Sequence, residues 1–316
     1  MKSALIVGGS GYLGNRLAGY LESAGVRVTC IDPGAVPPGH VCTRHLTTTA
    51  DEVPAESLGD IDTVYLLAWA GVAAPYRWDF DRQFSNVHQT VAGLELARAV
   101  RAGRIVWMGS VSEVALNATV ITPDTLPAPV DAYGVAKAAC RLVLRTIAQR
   151  DRLPLITTIV GSIYGPGRDD GNVLTYAITS LLRGERPTFT DLKQAWDYLY
   201  VDDLVGALAA LGERGVVGRN YVVASGTSRP LGDYIRAARD LINPAAELGI
   251  GERPRPMGTR DQAAQDISAL VADTGFEPRT LFADGLRATV DYFRRLPGVS
   301  TPDAEASLLN RLVEGT

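Results

Sequence analysis

The feature that most constrains the fold is a glycine cluster that directly follows an apolar run near the start of the chain. Ala4–Val7 has the length and composition of a buried strand, three glycines spaced three residues apart follow it, and an amphipathic helical pattern comes next. Backbone N–H groups and the helix dipole at such a helix start favour a bound phosphate. The stretch therefore predicts a strand, turn and helix that bind a dinucleotide diphosphate. The residues predicted to contact the cofactor here are Gly8, Gly11, Tyr12, Leu13 and Gly14.

A second predicted strand, Val26–Ile31, ends directly before Asp32. This is close to the separation expected for the acid that binds the cofactor ribose in dinucleotide-binding folds. A carboxylate at that place accepts from the ribose 2′-hydroxyl and repels a 2′-phosphate. NAD(H) is therefore the expected cofactor, with NADP(H) as the alternative, and an ordinary turn without a cofactor is the competing interpretation.

The spacing Gly8-x-x-Gly11-x-x-Gly14 resembles the extended short-chain dehydrogenase/reductases, the NAD-dependent epimerase/dehydratase family. The resemblance extends over nearly the whole chain, to about residue 295. It implies that Leu67 and Ala68, at the end of the fourth strand, lie under the cofactor, and that Asn86 braces the cofactor loop. Trp69 stands where the family usually has alanine.

Strands and helices alternate four times before residue 165, which predicts an α/β fold with a doubly wound parallel sheet of Rossmann type. The third strand is expected at 41–43, and helices are expected from Asp79 to Val100 and after Asp131, an N-cap residue. Beyond residue 165 the alternation breaks, and the resemblance implies a smaller C-terminal substrate lobe. The predicted divisions are 1–165 for the NAD-binding domain, 166–295 mainly for the lobe with some elements returning to the core, and 296–316 for a tail that is weakly helical at 304–313.

Tyr133 and Lys137 lie one helical turn apart and therefore on the same helix face. A nearby cation favours the phenolate, so such a pair can give or take a proton near neutral pH. The spacing is common by chance, but its place after the fifth strand of a dinucleotide fold favours catalysis. The resemblance implies that Tyr133 exchanges the proton of the reacting oxygen, whereas Lys137 lowers the pKa of Tyr133 and holds the nicotinamide ribose.

The resemblance also implies a Ser or Thr after the fifth strand that binds the reacting oxygen. Val111 stands at that position, between Ser110 and Ser112. Neighbouring side chains of an extended segment point in opposite directions, so one serine is expected to face the substrate. We expect Ser112 rather than Ser110, while the alternative is that both serines only satisfy the backbone of the loop.

The loop Ser110–Val114 is similar to that of C4-ketoreductases of deoxysugar biosynthesis, which reduce nucleotide-linked 4-keto-6-deoxyhexoses. Nucleotide-sugar enzymes often have an Arg where this chain has Trp196 and an Asn where it has Ser162. Arg255 matches the other customary diphosphate arginine, a residue type that binds phosphates bidentately. The substrate-binding residues implied by the resemblance are Glu113, Ser162, Trp196 and Arg255.

Several functions remain open from the sequence. The first is reduction of the C4 ketone of a nucleotide-diphosphate-linked (deoxy)sugar, and its nearest rival is a 4-epimerase that holds NAD tightly. Ser112-Glu113 is also similar to the loop of nucleotide-sugar decarboxylases, but the missing Thr and Trp196 argue against that reaction. A 4,6-dehydratase, which needs an Asp-Glu pair in this loop, is disfavoured by Ser112. A non-catalytic NAD-binding protein is kept open by Val111.

Composition limits the partners and the location. The chain of 316 residues has a formal charge of −4 with dispersed basic residues, so neither a nucleic-acid nor a membrane surface is predicted. It has no apolar window of about eighteen residues and no signal peptide, and we expect a cytoplasmic protein that forms a homodimer. The cysteines and histidines are dispersed without metal or disulfide spacing, so no metal site is predicted. They are Cys30, Cys42, Cys140, His40, His45 and His88.

Overall fold

The fold was analysed in a computed structural model, which describes residues 1–73, 76–114, 119–168, 171–255 and 263–299. The strands in these residues are β1 Ser3–Val7, β2 Arg27–Ile31, β3 Arg44–Leu46, β4 Thr63–Leu66, β5 Arg104–Trp107, β6 Val120–Ile121, β7 Leu155–Val160, β8 Ser162–Tyr164, β9 Thr188–Phe189, β10 Ala195–Trp196, β11 Tyr198–Tyr200, β12 Asn220–Val223, β13 Arg229–Pro230, β14 Gly249–Ile250 and β15 Ala264–Gln265. The helices are α1 Tyr12–Ser23, α2 Phe80–Ala99, α3 Ala132–Asp151, α4 Val173–Leu182, α5 Val201–Arg214, α6 Leu231–Ile242, α7 Ser268–Thr274 and α8 Phe282–Arg294.

A seven-stranded parallel sheet organises the fold, in the order β12-β7-β5-β4-β1-β2-β3. Every residue of β1 and β7 is buried, as expected when helices cover both faces of a parallel sheet. The chain moves outward from β1 in one direction through β2 and β3 and in the other through β4. A crevice forms at such a reversal, beyond the carboxyl ends of the strands, and ligands bind there in this architecture. The predicted doubly wound sheet is confirmed.

Helices pack on the two faces of the sheet through separate apolar clusters. On one face, Leu17 of α1 belongs to the same buried cluster as Leu208 of α5. On the other face, Leu94 of α2 and Leu144 of α3 belong to a second cluster. Asp79 and Asp131 accept backbone N–H groups in the first turns of α2 and α3, which fixes where both helices begin.

The C-terminal part of the chain builds a smaller lobe and also completes the sheet. Residues of α4, α6 and α8 share a third apolar cluster, which includes Ile178, Ile235 and Val290. The strand β12 instead pairs with β7 at the edge of the large sheet. The exact boundaries 1–165 and 166–295 stay a prediction. Most of the tail 296–316, including 304–313, lies outside the described residues.

The third strand lies at Arg44–Leu46, so its prediction at 41–43 is wrong by about three residues. The glycine- and proline-rich loop after β2 continues further than expected, and pairing with β2 starts only where Thr29 lies opposite Arg44. Before that point, the Thr43 N–H donates to the Glu22 side chain rather than to a strand. Among the described helices, none is long and apolar enough to cross a membrane.

Candidate active site

A cavity of about 630 Å³ lies at the carboxyl ends of the central strands. It extends from the glycine turn after β1 to the segment after β8, and residues from many separate parts of the chain line it. The lining residues used below are Gly8, Gly11, Tyr12, Leu13, Gly14, Asp32, Leu67, Ala68, Trp69, Arg77, Ser110, Val111, Ser112, Tyr133, Lys137, Ser162 and Arg168. One volume thus joins the predicted cofactor residues to the predicted catalytic ones.

The glycine turn is packed too closely for side chains. Gly8 has a φ of +97°, and a Cβ there would lie 2.5 Å from the Ala68 backbone nitrogen. A Cβ at Gly14 would overlap the Gly8 carbonyl oxygen. Gly11 is the residue that precedes α1, so the free N–H groups of the first helical turn open toward the cavity. This geometry fits a diphosphate at the start of α1.

The Asp32 carboxylate is held beside this turn. Its Oδ1 accepts the Gly34 N–H at 2.8 Å, and its Oδ2 accepts the Ser10 N–H at 3.3 Å. These bonds orient the carboxylate at the end of β2, where it lines the cavity. Its position fits a partner for ribose hydroxyls.

The floor of the cavity is formed by the segment after β4 and is braced from α2. The Asn86 Oδ1 accepts the Ala70 N–H at 2.7 Å, and its Nδ2 donates to the Ala70 carbonyl at 3.0 Å. Next to it, the Trp69 indole N–H donates to Gln83 at 2.8 Å. Asn86 therefore braces the floor of the cavity by its two hydrogen bonds to the Ala70 backbone.

Lys137 is buried at the cavity between aromatic rings. Its Nζ donates to the Met108 carbonyl at 2.8 Å and lies 3.8 Å from the centroid of the Trp69 ring. Burial lowers the pKa of Lys137 to about 8. Trp69, where the family usually has alanine, also meets the Tyr133 ring edge-on at 6.1 Å between ring centroids.

Tyr133 is also buried, and burial raises the pKa of its phenol. A hydrogen bond from Ser110 and the charge of Arg77 act in the opposite direction and lower that pKa. The Arg77 guanidinium carbon lies 4.3 Å from the centroid of the Tyr133 ring, and its Nε donates to Asp131 at 2.7 Å. Arg77 is therefore a cation in direct contact with the phenol ring.

The segment after β5 is a tight 3-10 turn, Val111–Glu113, rather than an extended strand. The Ser110 hydroxyl accepts the Ser112 N–H at 3.2 Å, while Glu113 accepts the Ser110 N–H at 2.7 Å. Glu113 is fully buried and pairs with Arg141 of α3 at 2.9 Å. Burial raises the pKa of Glu113, and the Arg141 charge opposes that rise. The ion pair between Glu113 and Arg141 thus anchors the 3-10 turn to α3.

Comparison with known families decides the class of protein. A family model described as the NAD dependent epimerase/dehydratase family matches residues 4–224. The chain belongs to this family. It is therefore an enzyme of the extended short-chain dehydrogenase/reductase class, as predicted.

Relatives and solved structures agree with this assignment. A dTDP-glucose 4,6-dehydratase from Xanthomonas campestris pv. campestris (strain B100) is 29% identical over 182 residues, which are 54% of this chain and 52% of that protein. The chain thus spans about half the length of the curated relatives it matches. A UDP-N-acetylglucosamine 4-epimerase from Methanobrevibacter ruminantium M1 is 22% identical with a TM-score of 0.82, over 92% of this chain and 98% of that one. The UDP-glucose 4-epimerase of Thermotoga maritima is 20% identical with a TM-score of 0.80, over 93% and 99% of the two chains. The two structural likenesses show the fold.

The enzyme's cavity does not bring together every residue predicted from the sequence. Asn86 and Glu113 lie behind it, and Glu113 is tied to Arg141, so direct substrate contact is the wrong expectation for this side chain. Trp196 packs in the lobe, 6.2 Å between ring centroids from Tyr198. Arg255 pairs with Asp191 at 2.7 Å on the surface. Neither Trp196 nor Arg255 is among the described residues that line the cavity.

The two serines have different surroundings in the cavity. The Ser112 hydroxyl accepts from Arg77 Nη2 at 3.0 Å, whereas Ser110 lines the cavity with Tyr133 and lowers the pKa of its phenol. The expectation of an extended segment is wrong, because a 3-10 turn directs its side chains differently, and which serine assists the reaction stays a prediction. The geometry favours Ser110 beside the phenol.

Two basic residues of the site were not predicted. Arg77 lies in the loop before α2, and Arg168 follows β8, yet both line the cavity. Arg168 lines the same cavity as Tyr12 and Tyr133, and its charge lowers the pKa of both phenols. Neither arginine stands in a sequence pattern that would single it out.

The cysteines and histidines are not dispersed as the sequence suggested. Cys30, His40, Cys42 and His45 have side-chain donor atoms that all lie within 4.8 Å of one another. The separation in sequence was misleading because the loop after β2 folds back onto β2 and β3. The expectation of scattered thiols and imidazoles is therefore wrong for these four residues.

Proposed function

We propose that this enzyme reduces the C4 ketone of a nucleotide-diphosphate-linked (deoxy)sugar with NADH. The observation that carries the proposal is one cavity that joins the buried Tyr133 phenol and Ser110 to Asp32 and Arg168. Gly8, Gly11 and Gly14 would hold the cofactor diphosphate, and Asp32 would hold the adenosine ribose. Lys137 would hold the nicotinamide ribose.

The proton chemistry follows from the two hydroxyls. NADH, when bound, supplies a hydride to C4 of the sugar. Tyr133 donates its proton to the carbonyl oxygen, so that the ketone becomes a secondary alcohol, and Ser110 stabilises the oxygen as negative charge develops on it. Arg77 lies at the Tyr133 ring and stabilises the phenolate that remains, until solvent returns the proton.

The direction of the reaction is inferred from the phenol. Burial raises the pKa of Tyr133 and so favours the protonated phenol, which is the form that a reduction consumes. A 4-epimerase must first remove a proton from an alcohol and needs the phenolate at the start. The 4-epimerase nevertheless remains the second candidate, because Asp32 fits the NAD that such enzymes retain.

Other reactions have weaker support. A 4,6-dehydratase needs an acid–base pair in the turn after β5, where this enzyme has Ser112, bonded to Arg77, and Glu113, bonded to Arg141. The same ion pair weighs against the use of Glu113 by a decarboxylase. A cytoplasmic homodimer remains a prediction, and light scattering of the purified protein tests the dimer.

Product analysis separates the two candidates. The enzyme would be incubated with nucleotide sugars and with nucleotide-linked 4-ketosugars, each with NADH, with NADPH and without added cofactor. We expect mass spectrometry to find that the 4-ketosugar is converted to an alcohol heavier by two hydrogen atoms. One of these atoms is deuterium when the cofactor carries a deuteride label. The Tyr133→Phe variant is the matched control. Isomers of unchanged mass formed without added cofactor would instead identify an epimerase, and no turnover with tight cofactor binding would identify a binding protein.

Cofactor preference tests the role given to Asp32. A carboxylate that accepts from the ribose hydroxyl should make NADH bind more tightly than NADPH. A hydrogen bond to a charged group contributes about 1.5–3 kcal/mol, so Asp32→Ala should weaken NADH binding roughly tenfold or more and reduce the discrimination. Fluorescence titration of both cofactors measures this. Equal or tighter NADPH binding by the unmodified enzyme would contradict the assignment.

A further inference from the structure

Four metal-binding side chains meet beside the cofactor cavity, where β2, the loop after it and β3 come together. They are Cys30, His40, Cys42 and His45, and their donor atoms all lie within 4.8 Å of one another. His40 Nε2 lies 3.2 Å from Cys42 Sγ and 3.3 Å from His45 Nδ1. A tetrahedral zinc ion, with bonds of about 2.3 Å to sulfur and 2.0–2.1 Å to nitrogen, separates its ligand atoms by about 3.3–3.8 Å. The side chains thus stand close to the spacing that zinc requires.

Strand register and the loop together produce this arrangement. Cys30 of β2 lies directly opposite His45 of β3 in the parallel pair. The loop between the strands turns at Gly39, which has a φ of +75°, and returns His40 and Cys42 to the same place. One buried and three half-buried side chains from three segments therefore converge.

The hydrogen bonds among these four side chains do not provide a partner for every polar atom of the cluster. His40 Nδ1 lies 2.6 Å from the Asn15 Oδ1 of α1, and a proton on Nδ1 leaves one lone pair on Nε2. Cys42 Sγ and His45 Nδ1 both approach that single lone pair. The other ring nitrogen of His45 is buried and has no hydrogen-bond partner in the described part of the chain. A metal-binding histidine that donates its second nitrogen to an oxygen is the usual arrangement, and His40 already has it.

We propose that Cys30, His40, Cys42 and His45 form a structural zinc site. Two sulfur and two imidazole ligands suit zinc, and four protein ligands close its coordination without an open position for catalysis. Two thiolates balance the charge of Zn²⁺, and the carboxylates of Glu22 and Asp32 add negative charge nearby. The site is independent of the reaction proposed above.

The position of the site gives it a function in cofactor binding. A Cβ at Gly9 would overlap the Cys30 side chain, so the glycine turn packs directly on one ligand. Asp32 follows Cys30 by two residues, and Asn15, which contacts His40, lies on α1. Bound zinc would therefore hold the loop after β2 against the turn and carboxylate that bind the adenosine half of the cofactor.

Metal content of matched cysteine variants tests the proposal. The full chain and its variants Cys42→Ser and Cys140→Ser would be equilibrated with buffered Zn²⁺, desalted and analysed by mass spectrometry for metals. Cys140 is a buried cysteine of α3 outside the cluster and serves as the control. We expect about one zinc per chain in the unmodified protein and in Cys140→Ser, and less than about a tenth of that in Cys42→Ser. Equal zinc in the two variants, or none in the unmodified protein, would overturn the site.

Two measurements on the unmodified protein avoid dependence on a variant that folds poorly. Replacement by Co²⁺ should give the sulfur charge-transfer and visible bands of tetrahedral cobalt. Removal of zinc by a chelator should lower the melting midpoint and raise the dissociation constant of NADH, and both should recover when zinc is returned. A cobalt spectrum without these bands, or a Cys30–Cys42 disulfide found by peptide mass spectrometry of the freshly purified protein, would contradict the proposal.

Discussion

The proposed cofactor side and the proposed substrate side of the cavity are built in different ways. On the cofactor side the backbone forms the site, since Gly8 and Gly14 leave no room for a Cβ and α1 presents its first N–H groups. On the substrate side the site consists of side chains, such as Ser110 and Arg168, delivered by separate loops. A backbone site is encoded locally and tolerates few substitutions. A side-chain site is encoded by the packing of distant segments and can change its chemistry without changing the fold.

The largest expected effect comes from removing the phenol that lies between the two sides. Tyr133→Phe should lower the turnover number by roughly a hundredfold to ten-thousandfold, because proton transfer by a positioned side chain contributes that much. NADH binding should change little, since the ring and its contact with Arg77 remain. Steady-state kinetics and cofactor titration measure the two effects. Near-normal turnover would move the proton donor to another residue.

Substitution of Ser110 and of Ser112 tests which hydroxyl on the proposed substrate side assists the reaction. Ser110→Ala should cost about a hundredfold in turnover, the loss typical of one donor to a developing oxyanion. Ser112→Ala is the matched variant and should cost much less, because its hydroxyl is bonded to Arg77. Kinetics of both variants with the same substrate make the test. The reverse order would restore Ser112 as the assisting residue, and two mild variants would mean that Tyr133 works without a serine.

On the cofactor side, one added methyl group at Gly14 should weaken NADH binding by displacing the backbone. Gly14→Ala places a Cβ against the Gly8 carbonyl, so α1 must shift, and such overpacking costs about 1–3 kcal/mol. We expect NADH to bind roughly tenfold or more weakly. Gly19→Ala, on the same helix with open space around it, should bind NADH normally and be more stable by up to about 1 kcal/mol. Titration and chemical denaturation of both variants check this, and equal NADH affinities would contradict the close-packed turn.

The same contrast explains what the sequence could predict. The glycine turn, Asp32 and the α3 pair Tyr133 and Lys137, which the structure brings to one cavity, could be singled out because local patterns mark them. The doubly wound sheet followed from the alternation of strands and helices. The turn that orients the serines was missed because the spacing of Ser110 and Glu113, a capping-box signature of a helical turn, was interpreted as part of an extended segment. The cluster around Cys30 was missed because strand register and loop path bring it together. Arg77 contacts Tyr133 across 56 positions of sequence, a contact that only the tertiary fold creates.

The smallest expected effect belongs to the arginine that the sequence singled out. Arg255 pairs with Asp191 at the surface, and an exposed ion pair contributes about 0–1 kcal/mol, so Arg255→Gln should change the KM for the nucleotide sugar by less than about threefold. Arg168→Gln is the matched variant. Arg168 lines the cavity near Tyr12 and Tyr133, and loss of a charge-assisted hydrogen bond to a diphosphate should raise KM roughly tenfold or more. Both variants should keep the NADH affinity of the unmodified enzyme, which separates substrate binding from general damage. If Arg255→Gln had the larger effect on KM, the diphosphate would lie toward the lobe, and the prediction from the sequence would be the correct one.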